Sequence, residues 1–235
     1  MLILAVDSTT PVAGVALVDE DKVIAEYFSN YKRVHSENLL PIIDRILTDC
    51  NCHLQDLTAI AVTTGPGSFT GIRIGMATVK GLSLGSDIPL ISISTLDAIA
   101  CNVVFSNYLA CPVLNARKNE VYAALYDVRG AMPELLWGPA AGAPEVIADK
   151  ALKVAADREG IIMLGDGYFP FRQCFQEKFG DKLAAAPSHL MLPRAASIGT
   201  LARQKIRQEK FEDVHSIRPY YIRLSEAEYK LGKEC

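Results

Sequence analysis

The sequence lacks any apolar run near the ~20 residues that a membrane-spanning helix requires. Its opening segment, MLILAVDSTT, has no basic residue, and Asp7 interrupts the apolar stretch earlier than a signal peptide would allow. The formal net charge of −3 provides no bulk electrostatic attraction to nucleic acid. We therefore expect a cytoplasmic protein that does not enter a membrane.

The residue patterns of common metal and redox sites are missing as well. The six cysteines include no CxxC pair, and the four histidines include no HxxxH or HExxH pair. Zinc sites and metalloproteases draw their ligands from such pairs. His35 and Ser36 are adjacent, but no acid that would orient the histidine is evident. We predict no catalytic triad, no bound metal, no cofactor and reduced thiols.

The residues that are present favour a large α/β core. Half of the 235 residues are hydrophobic and 22% are charged. Three short apolar segments between residues 2 and 28, separated by turns, predict an antiparallel meander. Helical and strand-like segments alternate after it, which predicts a mixed sheet flanked by helices.

Pro41 constrains where the first predicted helix begins. If Asn38 is the N-cap, Pro41 lies in the first turn, where its missing N–H costs nothing. If Ser36 is the N-cap, Pro41 lies inside the helix and should kink it. We predict the first arrangement, with the helix continuing to Cys50.

The order of elements repeats in the second half of the chain. AVD at 5–7 aligns with VLN at 113–115, and ALVD at 16–19 aligns with ALYD at 124–127, both at an offset of 108 residues. A period of this length is domain-sized rather than a solenoid repeat. We therefore predict a duplication, with a tail that packs back on the first lobe. The predicted lobes are residues 1–105 and 106–235.

A duplicated three-strand unit followed by helices is the arrangement of actin-like phosphotransferases, in which nucleotide lies between the copies. There the first strand-turn presents Asp, Ser and Thr to phosphate and metal, and Asp7, Ser8 and Thr9 have this form. The alternative is an Asx or Ser/Thr turn that satisfies its own backbone, which local sequence alone favours.

A second candidate for nucleotide contact is the strand-to-helix turn that contains Gly65 and Gly67. Free N–H groups at the helix N-terminus after this turn could bind an anion. No lysine follows the second glycine, so the turn is not a Walker motif. Ser68 also has the chemistry that an ordinary helix cap needs, and this structural alternative is the stronger one.

The helix after this turn, at 68–85, is almost uncharged and carries glycines at regular spacing. Gly67, Gly71 and Gly75 are four residues apart and so lie on one helical face. Each interior glycine costs about 1 kcal/mol of helix stability relative to alanine. Close approach of another element, either within the fold or from a partner, must compensate.

Five segments together resemble a known family. ILAVDSTT, HSENLLPIID, VTTGPGSFTGIRIG, NARKNEVYAALYD and PYYIR resemble the bacterial TsaB family, also called YeaZ, over essentially the whole chain. The resemblance implies an actin-like, ribonuclease H-like α/β fold of two duplicated lobes. It also implies an accessory subunit in the biosynthesis of threonylcarbamoyladenosine at position 37 of tRNA.

The same resemblance implies that this subunit is not catalytic. Its catalytic TsaD-type relatives carry two metal-binding histidines, four residues apart, where this chain has Thr95 and Ile99. Neither side chain can replace histidine as a ligand of iron or zinc. Relatives also carry aspartate where this chain has Asn115, which weakens the case for nucleotide or metal handling in the second lobe.

The partners that the resemblance implies are a TsaD-type catalytic subunit and a TsaE-type ATPase, with tRNA reached only through the complex. The first-lobe helices, at about 38–50 and 68–85, would pack against TsaD, and alone the same face could form a homodimer. The predicted interface residues are Leu39, Ile42, Ile46, Gly71, Ile72, Gly75, Met76 and Val79.

Three other activities are alternatives or additions to the accessory role. An actin-like ATP-dependent phosphotransferase would use Asp7 and the turn at 65–67, but Asn115 removes its second carboxylate. A peptidase would need the metal pair or the triad that the sequence lacks. Direct tRNA contact through the basic stretch at 194–210 is compatible with the accessory role.

Overall fold

The computed structural model describes residues 1–30, 35–116, 118–155 and 157–223. Within these ranges the chain forms two five-stranded mixed sheets, with helices packed against them. Each sheet combines an antiparallel meander with two further strands that run parallel to the first. The predicted α/β architecture with mixed sheets is therefore confirmed.

The first sheet is built around its first strand, which is also its centre. Its strands are β1 (Leu2–Asp7), β2 (Ala13–Asp19), β3 (Val23–Ser29), β4 (Ala59–Gly65) and β5 (Leu90–Ser94). The strand order is β3-β2-β1-β4-β5. Every residue of β4 is buried, as expected for a parallel strand with helices on both faces.

The second sheet repeats this arrangement. Its strands are β6 (Leu109–Asn115), β7 (Val121–Asp127), β8 (Glu134–Gly142), β9 (Ile161–Leu164) and β10 (Leu183–Ala185). The order is β10-β9-β6-β7-β8, which matches the first sheet strand for strand. β8 includes Pro139 within its nine residues. Pro139 is tolerated there because β8 is an edge strand and needs one N–H fewer.

The helices lie on the faces of the two sheets. They are α1 (His35–Asp49), α2 (Phe69–Ser86), α3 (Thr95–Ala100), α4 (Pro144–Val154), α5 (Arg172–Phe179) and α6 (Ala195–Arg207), with short 3-10 turns at 54–56, 101–103 and 180–182. α1 and α2 cover one face of the first sheet, and α6 covers the other. In the part of the chain that the structure describes, every helix is too short or too polar to cross a membrane.

The start of α1 differs from the prediction. The helix begins at His35, so Pro41 lies inside it, and the predicted N-cap at Asn38 is wrong. An interior proline costs a helix about 3 kcal/mol or more. Leu39, Ile43 and Ile46 are each at most 2% exposed, so tertiary packing of the apolar face outweighs that local cost.

α6 belongs to the core of the first sheet, although its sequence lies in the range predicted for the second lobe. Ile198 and Ala202 are fully buried in one cluster with Ile3 and Val18. A Cβ on Gly199 would lie 2.6 Å from Val18 Cγ2, so the helix approaches the sheet closely at this point. The two cores are therefore not separated by a single cut near residue 105.

We predict that Ile198→Ala lowers the free energy of unfolding by about 2–4 kcal/mol, because a fully buried isoleucine leaves a cavity. Urea denaturation followed by circular dichroism measures the change. Gln204→Ala, on the exposed side of the same helix, is the matched control and should change stability by less than about 0.5 kcal/mol. Equal effects of the two variants would contradict the packing of α6 on the first sheet.

Candidate functional site

The turn after β1, at residues 7–9, is buried, and its polar groups form hydrogen bonds within the chain. Asp7, Ser8 and Thr9 are each at most 1% exposed. Asp7 Oδ1 accepts hydrogen bonds from the Thr9 amide at 3.1 Å, from Thr9 Oγ1 at 2.7 Å and from Thr63 Oγ1 at 2.5 Å. One carboxylate oxygen thus holds three donors from two neighbouring strand ends. This is the local turn chemistry that the sequence favoured over phosphate binding.

The turn at 65–68 packs directly against this first turn. The Ser68 amide donates to the Thr9 carbonyl oxygen at 2.7 Å. Gly67 has φ +156°, and a Cβ there would lie 2.2 Å from the same oxygen, so no side chain fits. The Gly71 amide donates to Ser68 Oγ at 3.2 Å, which is an ordinary helix cap. The structure thus brings the predicted nucleotide contacts together, but these groups bond to one another.

The glycines of α2 face the same turn. A Cβ on Gly71 would lie 1.9 Å from the Ser8 carbonyl oxygen, and one on Gly75 would lie 2.5 Å from Ser8 Oγ. Ser8 Oγ in turn donates to the Gly71 carbonyl oxygen at 2.8 Å. The cost of these two helix glycines is therefore offset inside the chain. The close approach that the glycine spacing predicts is thus made by the turn after β1, within the fold.

The predicted interface residues lie on the inner side of the two helices. Ile42 is partly exposed, but the other seven are buried, with Ile72 at 1%, Met76 at 4% and Val79 at 0% exposure. Their apolar side chains pack on the first sheet, so they offer no surface to another chain. The seven buried residues are Leu39, Ile46, Gly71, Ile72, Gly75, Met76 and Val79.

The outward side of α1 and α2 carries a different apolar surface, which we call the α1–α2 face. Leu40 on α1 is 53% exposed and Leu84 on α2 is 60% exposed. α2 presents a stripe of five uncharged residues at spacings of four, three, four and three, namely Thr70, Ile74, Ala77, Gly81 and Leu84. A Cβ on Gly81 would meet nothing within 4 Å. The face comprises Leu40, Pro41, Thr70, Ile74, Ala77, Gly81 and Leu84.

This stripe is visible in the sequence, but periodicity alone could not select it. α2 is apolar or small on both sides, so the pattern does not say which side meets the sheet. The deciding contact, from Gly71 to Ser8, joins residues 63 apart in the chain. The sequence could therefore not show that the glycine side of α2 packs inside the fold.

The two positions at which the resemblance places histidine in the catalytic relatives are packed inside the fold. Thr95 and Ile99 are both fully buried. Thr95 Oγ1 donates to Thr9 Oγ1 at 3.1 Å, and Ile99 belongs to the core of the second sheet. Among the described residues, no group of three or more His, Cys, Asp or Glu side chains is placed to hold a metal ion.

The corresponding turn of the second lobe is also packed against its neighbour. The Asn115 amide donates to Asp166 Oδ1 at 3.1 Å. Burial raises the pKa of Asp166 above its ordinary value, and the hydrogen bond from the Asn115 backbone amide opposes the shift. A Cβ on Gly165 would lie 2.0 Å from the Val113 carbonyl oxygen. These contacts give Asp166 a structural role in the turn after β9.

The basic stretch around α6 is engaged within the chain. Arg194 forms an ion pair with Glu26 at 2.5 Å, and its guanidinium lies 4.9 Å from the ring centroid of Phe28. Lys205 Nζ donates to the Ser92 carbonyl oxygen at 2.7 Å. Arg203 and Arg207 both contact Glu20, through its carbonyl oxygen and its carboxylate respectively. These contacts do not support a basic surface for direct tRNA binding.

Comparisons with known proteins agree on one family. The model of the family described as TsaD, tRNA N6-adenosine threonylcarbamoyltransferase, matches residues 22–231. The tRNA threonylcarbamoyladenosine biosynthesis protein TsaB of Bacillus subtilis is 34% identical, covering 98% of this chain and 97% of its own. TsaB of Escherichia coli is 32% identical, with both chains covered completely. The chain belongs to the TsaB family.

The solved structures confirm the fold of this TsaB-family chain. YeaZ from Pseudomonas aeruginosa superposes with a TM-score of 0.80 at 25% identity, covering 94% of this chain and 100% of that one. The family resemblance and the duplicated α/β fold predicted from the sequence are thus both confirmed.

We predict that Asp7→Ala lowers the free energy of unfolding by about 3 kcal/mol or more, because three buried donors lose their acceptor. Asp7→Asn retains an acceptor oxygen and should cost less. Urea denaturation at unchanged m-value measures both, with Asp21→Ala at an exposed position as the control. A stability loss no larger than that of the control would argue against the structural role of Asp7.

We also predict opposite effects for two glycines of the same helix. Gly71→Ala should destabilise the fold by about 2 kcal/mol or more, because its Cβ meets the backbone at Ser8. Gly81→Ala should stabilise it by about 0.5–1 kcal/mol, because its Cβ meets open space and alanine favours the helix. Thermal denaturation of the pair distinguishes the inner from the outer side, and the same sign for both would refute the assignment.

Proposed function

We propose that this chain is a non-catalytic accessory subunit that supports a TsaD-type transferase in making threonylcarbamoyladenosine at position 37 of tRNA. The curated relatives that it matches over nearly their full length are named as proteins of this biosynthesis. Family membership supports a role in the pathway. The finer assignment, to a scaffold that stabilises and activates TsaD, rests on the surface and the turns described above.

Three features of the turns favour a role without chemistry. The Asp7 carboxylate is fully buried and holds three donors of its own chain. Thr95 and Ile99 cannot supply the imidazole ligands that the resemblance places in the catalytic relatives. Asn115 stands where the resemblance places a carboxylate in the second lobe, and its backbone amide donates to Asp166. An ATP-dependent phosphotransferase would need the Asp7 carboxylate open to its substrate and a second carboxylate in the cleft.

The observation that carries the proposal is the α1–α2 face. Leu40 and Leu84 expose large apolar side chains, and the α2 stripe between them is small and uncharged. Small side chains let the backbone of a second helix approach closely, and burial of leucine supplies the free energy of association. A pair of helices from a partner of the same fold would therefore fit this face. In the absence of TsaD, a second copy of the chain would fit it as well.

The proposal assigns the remaining partners to the assembled complex. A TsaE-type ATPase would join TsaD and this chain in the complex, and tRNA would contact the chain only through that complex. The internal pairing of the cations around α6 supports this indirect role for tRNA.

We predict that Ala77→Arg weakens the affinity for TsaD about 100-fold or more, because it places an unpaired charge in an apolar interface. Isothermal titration calorimetry with purified TsaD measures the affinity, and light scattering reports on the homodimer. Val146→Arg, at an exposed apolar position on α4, is the matched control. Buried residues such as Ile72 and Met76 are unsuitable, since a charge there would test folding rather than docking.

Two results would overturn the proposal. The first is an affinity of Ala77→Arg for TsaD equal to that of the unmodified chain, with thermal stability unchanged. The second is full tRNA modification by TsaD and TsaE in the absence of this chain. ATP turnover by the isolated chain that Asp7→Asn abolishes without unfolding it would instead favour the phosphotransferase.

A further inference from the structure

The segment after α6, residues 212–223, first follows the edge of the first sheet. The Glu212 amide donates to the Leu90 carbonyl oxygen at 2.9 Å, and the Glu212 carboxylate accepts from the Ser92 amide at 3.1 Å. Ile217 is 1% exposed and belongs to the core beneath α1 and α2. The segment is therefore fixed to the first lobe by sheet pairing and by a buried side chain.

The segment then meets the turn between β4 and α2. The Tyr220 amide donates to the Thr64 carbonyl oxygen at 2.8 Å. Gly65 has φ +121°, and a Cβ there would lie 2.5 Å from the Tyr220 carbonyl oxygen. The absence of a side chain at Gly65 is thus required on two grounds, its backbone conformation and the close passage of the segment.

Tyr221 continues this contact onto the first turn of α2. Its ring stacks on Phe69 with centroids 4.2 Å apart and an angle of 10° between the planes. Arg73 Nε donates to the Tyr221 hydroxyl at 3.0 Å, and the guanidinium lies 5.6 Å from the Phe69 centroid. Stacking, a hydrogen bond and a cation–π contact therefore join the segment to α2 at one point.

The next two residues reach the second lobe. Ile222 packs against the core of the second sheet. Arg223 forms an ion pair with Glu120, which immediately precedes β7 in the hairpin between β6 and β7. Residues 220, 221, 222 and 223 thus contact, in this order, the β4–α2 turn, the first turn of α2, the core of the second sheet and the β6–β7 hairpin.

We propose that residues 212–223 form an interlobe strap that couples the hairpin of the second lobe to the N-terminal end of α2. A shift of the hairpin at Glu120 would act through Arg223 and Tyr221 on the helix that carries the α1–α2 face. The strap itself is inferred from contacts within the chain. Its consequence for partner binding rests on the proposed function.

Hydrogen exchange of the isolated full chain, followed by mass spectrometry, tests the coupling. Tyr221→Ala should make the amides of residues 64–73 exchange about tenfold faster, because the stack and the hydrogen bond are lost. Glu120→Arg should accelerate the same amides in the first lobe, although Glu120 lies in the second. The double variant should exchange no faster there than Tyr221→Ala alone.

Two controls separate the strap from general loss of stability. Tyr221→Phe keeps the stacked ring and should remain within about twofold of the unmodified chain at residues 64–73. Phe105→Ala removes an aromatic side chain that is 75% exposed and should leave those amides unchanged. If Tyr221→Ala unfolds the chain, Glu120→Gln, which removes the charge without reversing it, measures the coupling in its place.

Three results would overturn the strap: unchanged exchange at residues 64–73 in Glu120→Arg, additive effects in the double variant, or equal acceleration throughout the protein. Partner binding is then measured separately. Weaker TsaD affinity of Glu120→Arg, at a site outside the α1–α2 face, would extend the coupling to docking. Failure of the exchange experiment refutes the strap alone, whereas failure of Ala77→Arg to weaken binding refutes the proposed function alone.

Discussion

The orientation of α2 in the first lobe depends on the close packing of two turns, at residues 7–9 and 65–68. The Ser68 amide bonds to the Thr9 carbonyl oxygen, and Gly67 and Gly71 have no side chain where that backbone passes. This contact fixes both the position and the rotation of α2. Because the glycine side of the helix is used here, the opposite side, with Gly81 and Leu84, is the one left to solvent.

The second lobe applies the same constraint with different residues. A Cβ on Gly165 would lie 2.0 Å from the Val113 carbonyl oxygen, as close as one on Gly67 would lie to Thr9, and one on Gly167 would lie 2.8 Å from the Leu114 carbonyl carbon. Strand order is also repeated, from the antiparallel meander to the two parallel strands. Glycine turns that touch a neighbouring strand end therefore recur in both copies of the duplicated unit. In both copies they bring backbone of the same chain against the turn where an actin-like enzyme would hold phosphate.

Elements with local signals could be predicted from the sequence, and contacts between distant residues could not. Apolar runs of strand length predicted β1, β4 and β6, and the offset of 108 residues predicted the duplication. The inward packing of the glycine side of α2 could not be predicted, because both sides are apolar and Ser8 is distant in sequence. The tail was expected to pack back on the first lobe, but its contacts could not be predicted, since RPYYIR has no periodicity and its partners, Thr64, Phe69 and Glu120, lie about 100 residues or more away.

The proposed strap and the proposed docking of a partner on the α1–α2 face are thermodynamically linked. If the strap holds α2 in the conformation that docks, a partner bound to the α1–α2 face must stabilise the strap by the same coupling free energy. Binding would then tighten contacts at Arg223 and Glu120 that the partner does not touch. An accessory subunit of the kind proposed would act on its partner through such differences in binding free energy. Asp7, whose Oδ1 accepts three hydrogen bonds within the fold, would keep the neighbouring turn rigid enough for such coupling.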